Sequence, residues 1–165
     1  MNRREAIFAG ISTFAAAMAV APAAAVAAES KEVPKEFAEL FILLKAHDDA
    51  FTNHDLPGVL KVYASKSVLL GTGPGEMWSG TEELTVAYEN FFKSFDKGHN
   101  DFESRHRIGA VTGDTAWLAV AGDTKAKKDG KDASYPLNVS LAFVKEGGAW
   151  KIASLHFSTF ATDKA

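Results

Sequence analysis

The sequence predicts an α+β domain in which helices come first and an antiparallel sheet follows. Between Pro34 and Gly98 most apolar residues recur at the three- and four-residue intervals of amphipathic helices. After Asn100 the chain consists of long runs rich in β-branched and aromatic residues, separated by short glycine-containing links. Because short links join antiparallel neighbours, we expect a meander of strands with the helices packed on one of its faces.

Two helices are predicted at the start of the domain. The first begins at Pro34, which suits a first helical position, and ends near Asn53-His54. Asp55 is a plausible cap for a second, short helix, with Pro57 just inside it. Their apolar faces comprise Phe37, Leu40, Phe41, Leu44 and Phe51 in the first helix, and Val59, Leu60, Val62 and Tyr63 in the second.

A short strand and a third helix follow. Residues 67–70 are predicted as a strand, and the glycine-rich residues 71–75 turn the chain into a short return strand. Ser79 and Glu82 have the spacing of a capping box and open the third helix, which ends at Gly98. Its apolar side comprises Leu84, Ala87, Tyr88, Phe91, Phe92 and Phe95.

The rest of the chain is predicted to form the meander. Its four long strands cover residues 102–111, 115–124, 134–144 and 150–160. The links are short hairpin signals, namely Thr112-Gly113-Asp114, Lys128-Asp129-Gly130 and Glu146-Gly147-Gly148.

Composition fits one globular domain and argues against several classes of function. The chain has 165 residues, 47% of them hydrophobic, and contains no Cys, so it has neither a disulfide framework nor a thiolate nucleophile. Its formal net charge of -3 argues against nucleic-acid binding, because domains that bind nucleic acids usually carry an excess of positive charge. No phosphate-loop or dinucleotide motif is present, and the five histidines show no tight ligand spacing with acids. We therefore predict no cofactor, no metal and no nucleic-acid partner.

The first 27 residues have the pattern of an export signal. A basic pair, Arg3-Arg4, precedes an apolar run that ends in small residues at Ala27. The pair resembles a twin-arginine signal, which implies export of an already folded protein. We expect cleavage after Ala27, a domain over residues 28–165 that is periplasmic or secreted, and no further contact with the membrane. An uncleaved membrane anchor is the open alternative.

Several landmark segments resemble the nuclear transport factor 2-like superfamily, and within it the SnoaL-like and DUF4440-type branch. These segments are Asp55–Ala64, Val68–Gly75, Trp78–Leu84, Gly113–Trp117 and Trp150–Ser158. The resemblance implies a cone-shaped, strongly curved antiparallel sheet wrapped around the N-terminal helices, as in a cystatin-like roll. It also implies an interior pocket for a small-molecule ligand and an outer sheet face that forms a homodimer. Members include isomerases, cyclases, dehydratases, hydrolases and many non-enzymes, so the fold does not decide the activity.

Candidate ligand-binding residues occur on the last strand. Strict alternation places one set of residues on a single face, namely Trp150, Ile152, Ser154, His156, Ser158 and Phe160. A mainly apolar surface with a few polar groups is typical of small-ligand sites, so we predict that Trp150, His156 and Ser158 contact the ligand. His156 and Ser158 also match the closing motif of the family. The alternative is that these two side chains satisfy each other, or a backbone group, at the end of the sheet.

The strand that follows the third helix leaves two arrangements open. If His106 faces the pocket, it lies across from His156, and two histidines near neutral pKa can move a proton. If the opposite set faces inward, Arg105 or Arg107 clamps a carboxylate ligand. A one-residue bulge would reverse either choice. A third interpretation is cross-strand pairing of these arginines with Glu103 on a solvated face.

Four further residues are candidates on the helices and the glycine turn. Asp48 borders the apolar stripe of the first helix, where a buried carboxylate would have a raised pKa and act as a base. Tyr63 and Tyr88 lie on apolar helical faces, from which a hydroxyl can reach the pocket. Trp78 follows the glycine turn and is placed at the pocket rim. The structural alternatives are a polar helix edge for Asp48 and core packing for the other three.

These patterns favour binding over catalysis. We predict an exported homodimer whose cone holds a small, mainly apolar ligand or is merely structural. The alternative is a cofactor-independent lyase, hydrolase or isomerase-like enzyme that uses His156, His106 and Asp48. Relatives of ketosteroid isomerase need a carboxylate base, and the first strand offers no acidic residue for that role.

Overall fold

Two helices lead into the sheet, as predicted. The computed structural model describes residues 35–159, so the export signal, the cleavage site, Pro34 and Phe160 lie outside the described residues. Helix α1 spans Lys35–Thr52 and α2 spans Leu56–Lys61. The Asp55 side chain caps α2 by accepting a hydrogen bond of 3.1 Å from the Gly58 N–H, which confirms the predicted cap.

The chain enters the sheet earlier than predicted. Strand β1 spans Tyr63–Leu70, so the placement of Tyr63 on a helical face is wrong. Tyr63 pairs with Ile152 on the last strand, and both side chains are buried. Burial against a strand partner therefore outweighs the helical spacing of the apolar residues in this segment.

The third helix also differs from its predicted limits. Strand β2 spans Met77–Ser79 and α3 spans Gly80–Ser94. Glu83, rather than the predicted Glu82, accepts the hydrogen bond of 2.7 Å from the Ser79 N–H. The helix ends four residues before Gly98, where the Asp96 N–H bonds instead to the Lys127 carbonyl (2.8 Å) at the end of an interior strand of the sheet.

The predicted meander is present and is extended by an unpredicted parallel pairing. Strands β3 to β6 span Asn100–Thr112, Thr115–Lys128, Lys131–Glu146 and Ala149–Ser158. Within residues 35–159 six strands form one curved sheet in the order β2-β1-β6-β5-β4-β3. Strands β3 to β6 pair antiparallel, whereas β1 lies parallel to β6. The α+β fold class is confirmed, and the sheet is antiparallel except at this one junction.

Two β-bulges decide which side chains face the helices. On β3 the pairing with β4 skips Arg105, and on β6 the pairing with β5 skips Ala153. Each extra residue reverses the alternation of the side chains beyond it. The face of β6 that begins with buried Ile152 therefore continues with Leu155 rather than with His156. The predicted common face of Trp150, Ile152, Ser154 and His156 is wrong for this reason.

The hydrophobic core lies between the inner sheet face and the three helices of the described residues. Its most deeply buried side chains are Leu40, Val59, Leu69, Leu84, Tyr88, Phe143 and Ile152. Gly109 allows α1 to approach β3 closely, because a Cβ atom there would come within 3.0 Å of the Phe37 ring. None of the helices in residues 35–159 is both long enough and apolar enough to cross a membrane.

Candidate functional site

A cleft of about 930 Å³ opens between α1, α3 and the inner face of β3 to β6. Six phenylalanines line it, namely Phe41, Phe51, Phe91, Phe95, Phe102 and Phe157. Aliphatic side chains from β4 and β5 form its floor, among them Leu118, Val120, Leu137, Val139 and Leu141. The volume and the apolar lining match those of small-molecule sites.

A chain of four hydrogen-bonded polar side chains borders this cleft. His47 Nδ1 lies 3.0 Å from Asp48 Oδ1, and His47 Nε2 lies 2.9 Å from the Tyr88 hydroxyl. The Tyr88 hydroxyl in turn lies 2.5 Å from the Tyr63 hydroxyl. His47, Asp48 and Tyr88 line the cleft, whereas Tyr63 lies behind its wall.

The positions of the protons in these hydrogen bonds follow from the Asp48 carboxylate at one end of the series. An ionised Asp48 carboxylate can only accept, so His47 Nδ1–H donates to it. In neutral His47 the Nε2 atom then accepts a hydrogen bond from the Tyr88 hydroxyl. The Tyr88 oxygen accepts from the Tyr63 hydroxyl, so each buried donor has an acceptor.

Both tyrosines act as neutral hydroxyls. Burial raises the pKa of Tyr88 well above the usual value for tyrosine, and burial likewise raises the pKa of Tyr63. The nearby Asp48 carboxylate adds to both increases, because it disfavours a second negative charge. Neither phenol is therefore an anionic base or nucleophile at neutral pH.

Of the two neighbouring side chains on α1, the His47 imidazole is buried and the Asp48 carboxylate is exposed. The His47 side chain is 9% exposed and the Asp48 side chain is 63% exposed. The alternative of a polar helix edge therefore describes Asp48, which lines the cleft without being buried. His47 continues the stripe formed by Leu40, Leu44 and Phe51, at spacings of three and four residues.

The bulge on β3 selects between the two arrangements left open by the sequence. Phe102 and Ser104 before the bulge and Arg107 after it all line the cleft. The Arg107 guanidinium carbon lies 5.4 Å from the centre of the Phe41 ring. Arg105 is instead exposed and donates to Asp123 at 3.0 Å. Of the two predicted arginines, Arg107 alone faces the cleft.

The predicted histidine pair does not line the cleft. His106 and His156 follow the bulges on their strands, so both lie on the outer sheet face. Ser158 shares that face, where it pairs with Asn138. The placement of these three side chains inside the pocket is wrong because each bulge shifts the alternation by one residue.

The two candidate tryptophans also lie outside the cleft lining. Trp78 packs edge-on against Phe91, with ring centres 5.8 Å apart. Trp150 is buried beneath the Lys145 ammonium, which lies 5.1 Å from its ring centre. The alternative of core packing therefore describes Trp78, as it does the buried Tyr63, and Trp150 also packs in the core.

Sequence reasoning did not select His47, although a signal for it exists. A histidine within a stripe of leucines and phenylalanines needs a buried partner, and Tyr88 on α3 supplies one. Arg107 was one of two open choices, and only the bulge decides it. Among the residues that the structure describes, no three His, Asp or Glu side chains lie close enough to hold a metal ion.

Comparison with known proteins identifies the family and the fold. Residues 43–163 match the family model of the SnoaL-like domain. The chain belongs to the SnoaL-like domain family. No curated protein matches this SnoaL-like chain significantly.

Solved structures share the fold at low sequence identity. A ketosteroid isomerase-like protein from Erwinia carotovora atroseptica has a TM-score of 0.63 and 22% identity, over 79% of this chain and all of the other. A nuclear transport factor 2-like superfamily protein from Salmonella enterica has a TM-score of 0.66 and 14% identity, over 79% and 94%. A protein of unknown function with a cystatin-like fold from Nostoc punctiforme has a TM-score of 0.61 and 18% identity, over 75% and 90%. These similarities establish the nuclear transport factor 2-like fold.

Proposed function

We propose that this SnoaL-like protein binds a small, mainly apolar organic ligand in the cleft between α1, α3 and the sheet. The observation that carries the proposal is the cleft itself, about 930 Å³ in volume and lined by six phenylalanines. Apolar surface removed from water contributes roughly 25 cal/mol per Å², so such a wall favours a ligand with a hydrophobic body. Asp48 and the Tyr88 hydroxyl, which both line the cleft, provide the few polar contacts that orient a ligand in such a site.

A ligand-retention experiment tests this proposal. The protein is purified under mild conditions, and bound small molecules are identified by native mass spectrometry. In a Ser104→Trp variant the indole would occupy the cleft from an exposed lining position, so we expect the retained compound to be lost. His156→Ala is the matched control, because His156 lies on the outer face and its loss leaves retention unchanged. Retention that survives Ser104→Trp and fails in His156→Ala would place the ligand elsewhere.

A second candidate function is acid–base catalysis on a small organic substrate in the same cleft. The hydrogen-bonded pair of Asp48 and His47 favours it, because a carboxylate that fixes an imidazole is a common general-base arrangement. The reaction class would be that of a cofactor-independent lyase, hydrolase or isomerase, now with His47 in place of His106 and His156. The test is the mass and the chromatographic retention time of the compound recovered after incubation, because an isomerase changes only the second. Binding alone returns it unchanged, whereas catalysis returns a product that His47→Gln fails to form.

We also propose that the protein is a homodimer that uses its outer sheet face. Ile108 and Trp117 are 66% and 47% exposed on neighbouring strands of that face. Two rows of residues across the face contain no Asp, Glu, Lys or Arg. They are Ala110, Trp117, Ala142, Ser154 and Val68, and Ile108, Ala119, Ser140, His156 and Leu70. Exposed apolar patches of this kind mark interfaces. Trp117→Arg is expected to convert a dimer to a monomer in sedimentation velocity, whereas Val86→Arg on α3 is not.

Export by the first 27 residues, and assignment to the DUF4440-type branch, are likewise proposals. The basic pair Arg3-Arg4 and the small residues before Ala28 support export. Mass spectrometry of the protein from a bacterial periplasm tests it, with Ala28 as the expected N-terminus. Replacement of both arginines by lysine should leave the precursor in the cytoplasm if the twin-arginine route is used, and a periplasmic product would then indicate the general secretory route.

A further inference from the structure

Four ionised side chains line the cleft, and three of them already have partners within the described residues. The Lys45 ammonium lies 2.7 Å from Asp49, and Asp48 binds His47. A Glu76 carboxylate oxygen accepts a hydrogen bond of 2.8 Å from the Gly73 N–H. Arg107 differs, since no carboxylate of residues 37–159 lies within 4.0 Å of its guanidinium.

The position of Arg107 suits recognition of an anion at the end of an apolar body. Its guanidinium lies against the Phe41 ring, which leaves the edge of the planar group available to a ligand. That edge carries paired N–H donors whose spacing matches the two oxygens of a carboxylate. Arg107 is exposed at the cleft wall, beside its cross-strand neighbour Val120, so a ligand in the cleft can reach the guanidinium.

We propose that the ligand of the cleft is an amphipathic acid whose carboxylate pairs with Arg107. The inference rests on the proposed binding function and names the chemical class of the ligand. The apolar body of the acid lies among the phenylalanines, and its carboxylate takes the counter-ion position that the protein leaves open beside Arg107.

The second polar end of the cleft constrains the length of this acid. Phe41, which lies beneath Arg107, precedes His47 by six residues on α1, so the two are about 9 Å apart along the helix axis. An acid that reaches both ends carries a hydrogen-bonding group, such as a hydroxyl or a carbonyl, about that far from its carboxylate. The polar group would lie beside the hydrogen-bonded chain of His47 and Tyr88.

A matched pair of probes separates the charge from the apolar body. Binding of 1-naphthaleneacetic acid and of 1-naphthaleneacetamide to the full chain is measured by isothermal titration calorimetry at pH 7. The two compounds share the naphthalene ring and differ in charge. Charge-assisted hydrogen bonds contribute about 1.5–3 kcal/mol, so we expect the acid to bind at least about tenfold more tightly than the amide.

Two variants assign that preference to one residue. In Arg107→Gln the acid and the amide should bind equally, while amide affinity stays within about threefold of wild type because the apolar wall is intact. Arg105→Gln is the matched control, because Arg105 lies two residues away, is similarly exposed and binds Asp123 on the outer face. It should keep the full preference. Circular dichroism confirms that both exposed substitutions leave the fold intact.

The outcomes separate this inference from the proposed function. A preference for the acid that is lost in Arg107→Gln and kept in Arg105→Gln supports the inference. Equal binding of the two probes to wild type, or a preference that survives in Arg107→Gln, overturns the inference and leaves apolar binding in place. Failure of wild type to bind either probe counts against the apolar-ligand function and against this inference with it.

Discussion

Removal of the buried Tyr88 hydroxyl should destabilise the protein more than removal of the neighbouring Tyr63 hydroxyl. Tyr88 is 2% exposed, and its hydroxyl is the middle link between His47 Nε2 (2.9 Å) and the Tyr63 hydroxyl (2.5 Å). Tyr88→Phe breaks both hydrogen bonds and leaves the buried Tyr63 hydroxyl without a partner. With about 1 kcal/mol for each bond and a further 1–3 kcal/mol for the orphaned hydroxyl, we expect a loss of roughly 3–5 kcal/mol.

Removal of the Tyr63 hydroxyl, at the end of the hydrogen-bonded chain, should cost less stability than removal of the Tyr88 hydroxyl. Tyr63→Phe removes a single hydrogen bond and leaves Tyr88 bound to His47, so its cost should be about 1 kcal/mol. In the double variant no Tyr63 hydroxyl remains to be orphaned, and the loss should not exceed that of Tyr88→Phe alone. Tyr135→Phe is the control, because the Tyr135 hydroxyl makes no hydrogen bond within the described residues, and it should change the free energy of unfolding by under about 0.5 kcal/mol.

Urea unfolding followed by tryptophan fluorescence measures all four free energies. The double-mutant cycle then isolates the coupling between the two hydroxyls. Strict additivity of the two single variants, or a Tyr63→Phe loss at least as large as that of Tyr88→Phe, would refute the hydrogen-bonded chain as described.

Three further predictions follow from the same structure. Burial raises the pKa of all three tyrosines, so no tyrosinate absorbance at 295 nm should appear near pH 10 while the protein is folded. Because the folded pKa values exceed the unfolded ones, this contribution to stability is complete below about pH 10 and is lost as the pH rises further, so tyrosinate should appear together with unfolding. Gly109→Ala should cost about 1–3 kcal/mol in urea unfolding, since its Cβ would lie 2.6 Å from the Trp117 carbonyl oxygen on β4 and 3.0 Å from the Phe37 ring on α1. A neutral result would contradict the close packing around Gly109. The Asp96 carboxylate accepts hydrogen bonds from the Asp129 N–H (3.2 Å) and the Gly130 N–H (2.7 Å), so Asp96→Ala should speed hydrogen exchange of these two amides. Unchanged exchange would show that the β4–β5 turn is stable without the Asp96 side chain.

The sequence predicts the fold well because its signals are local. The helical stripe around Leu40, the cap at Asp55 and the turn at Asp129-Gly130 each act over a few residues. Both turn residues have positive φ, 52° and 73°, which is the geometry that such a pair favours in a two-residue hairpin. The parallel contact of β1 with β6 was not predictable in this way, because it joins segments from opposite ends of the domain.

The candidate site was predicted only in part, because two single residues decide it. Arg105 and Ala153 are extra residues in their strands, and each moves a histidine from the inner face to the outer face. Neither composition nor periodicity marks these bulges, since apolar and polar residues alternate in the sequence of both strands without a visible interruption. A cleft beside α1 was predictable, as was the position of Tyr88 at its wall, whereas the hydrogen-bond partner of Tyr88 required the packing of α3 against His47.

The most direct test of ligand binding in the cleft is a nuclear magnetic resonance titration with 1-naphthaleneacetamide that follows the imidazole signals of the five histidines. His47 lines the cleft, whereas His106 and His156 lie on the opposite face of the sheet. Binding in the cleft predicts saturable shifts of the His47 signals, with the His106 and His156 signals unchanged. Saturable shifts at His156 with none at His47 would instead place the ligand on the outer face and contradict the assignment of the cleft as the binding site.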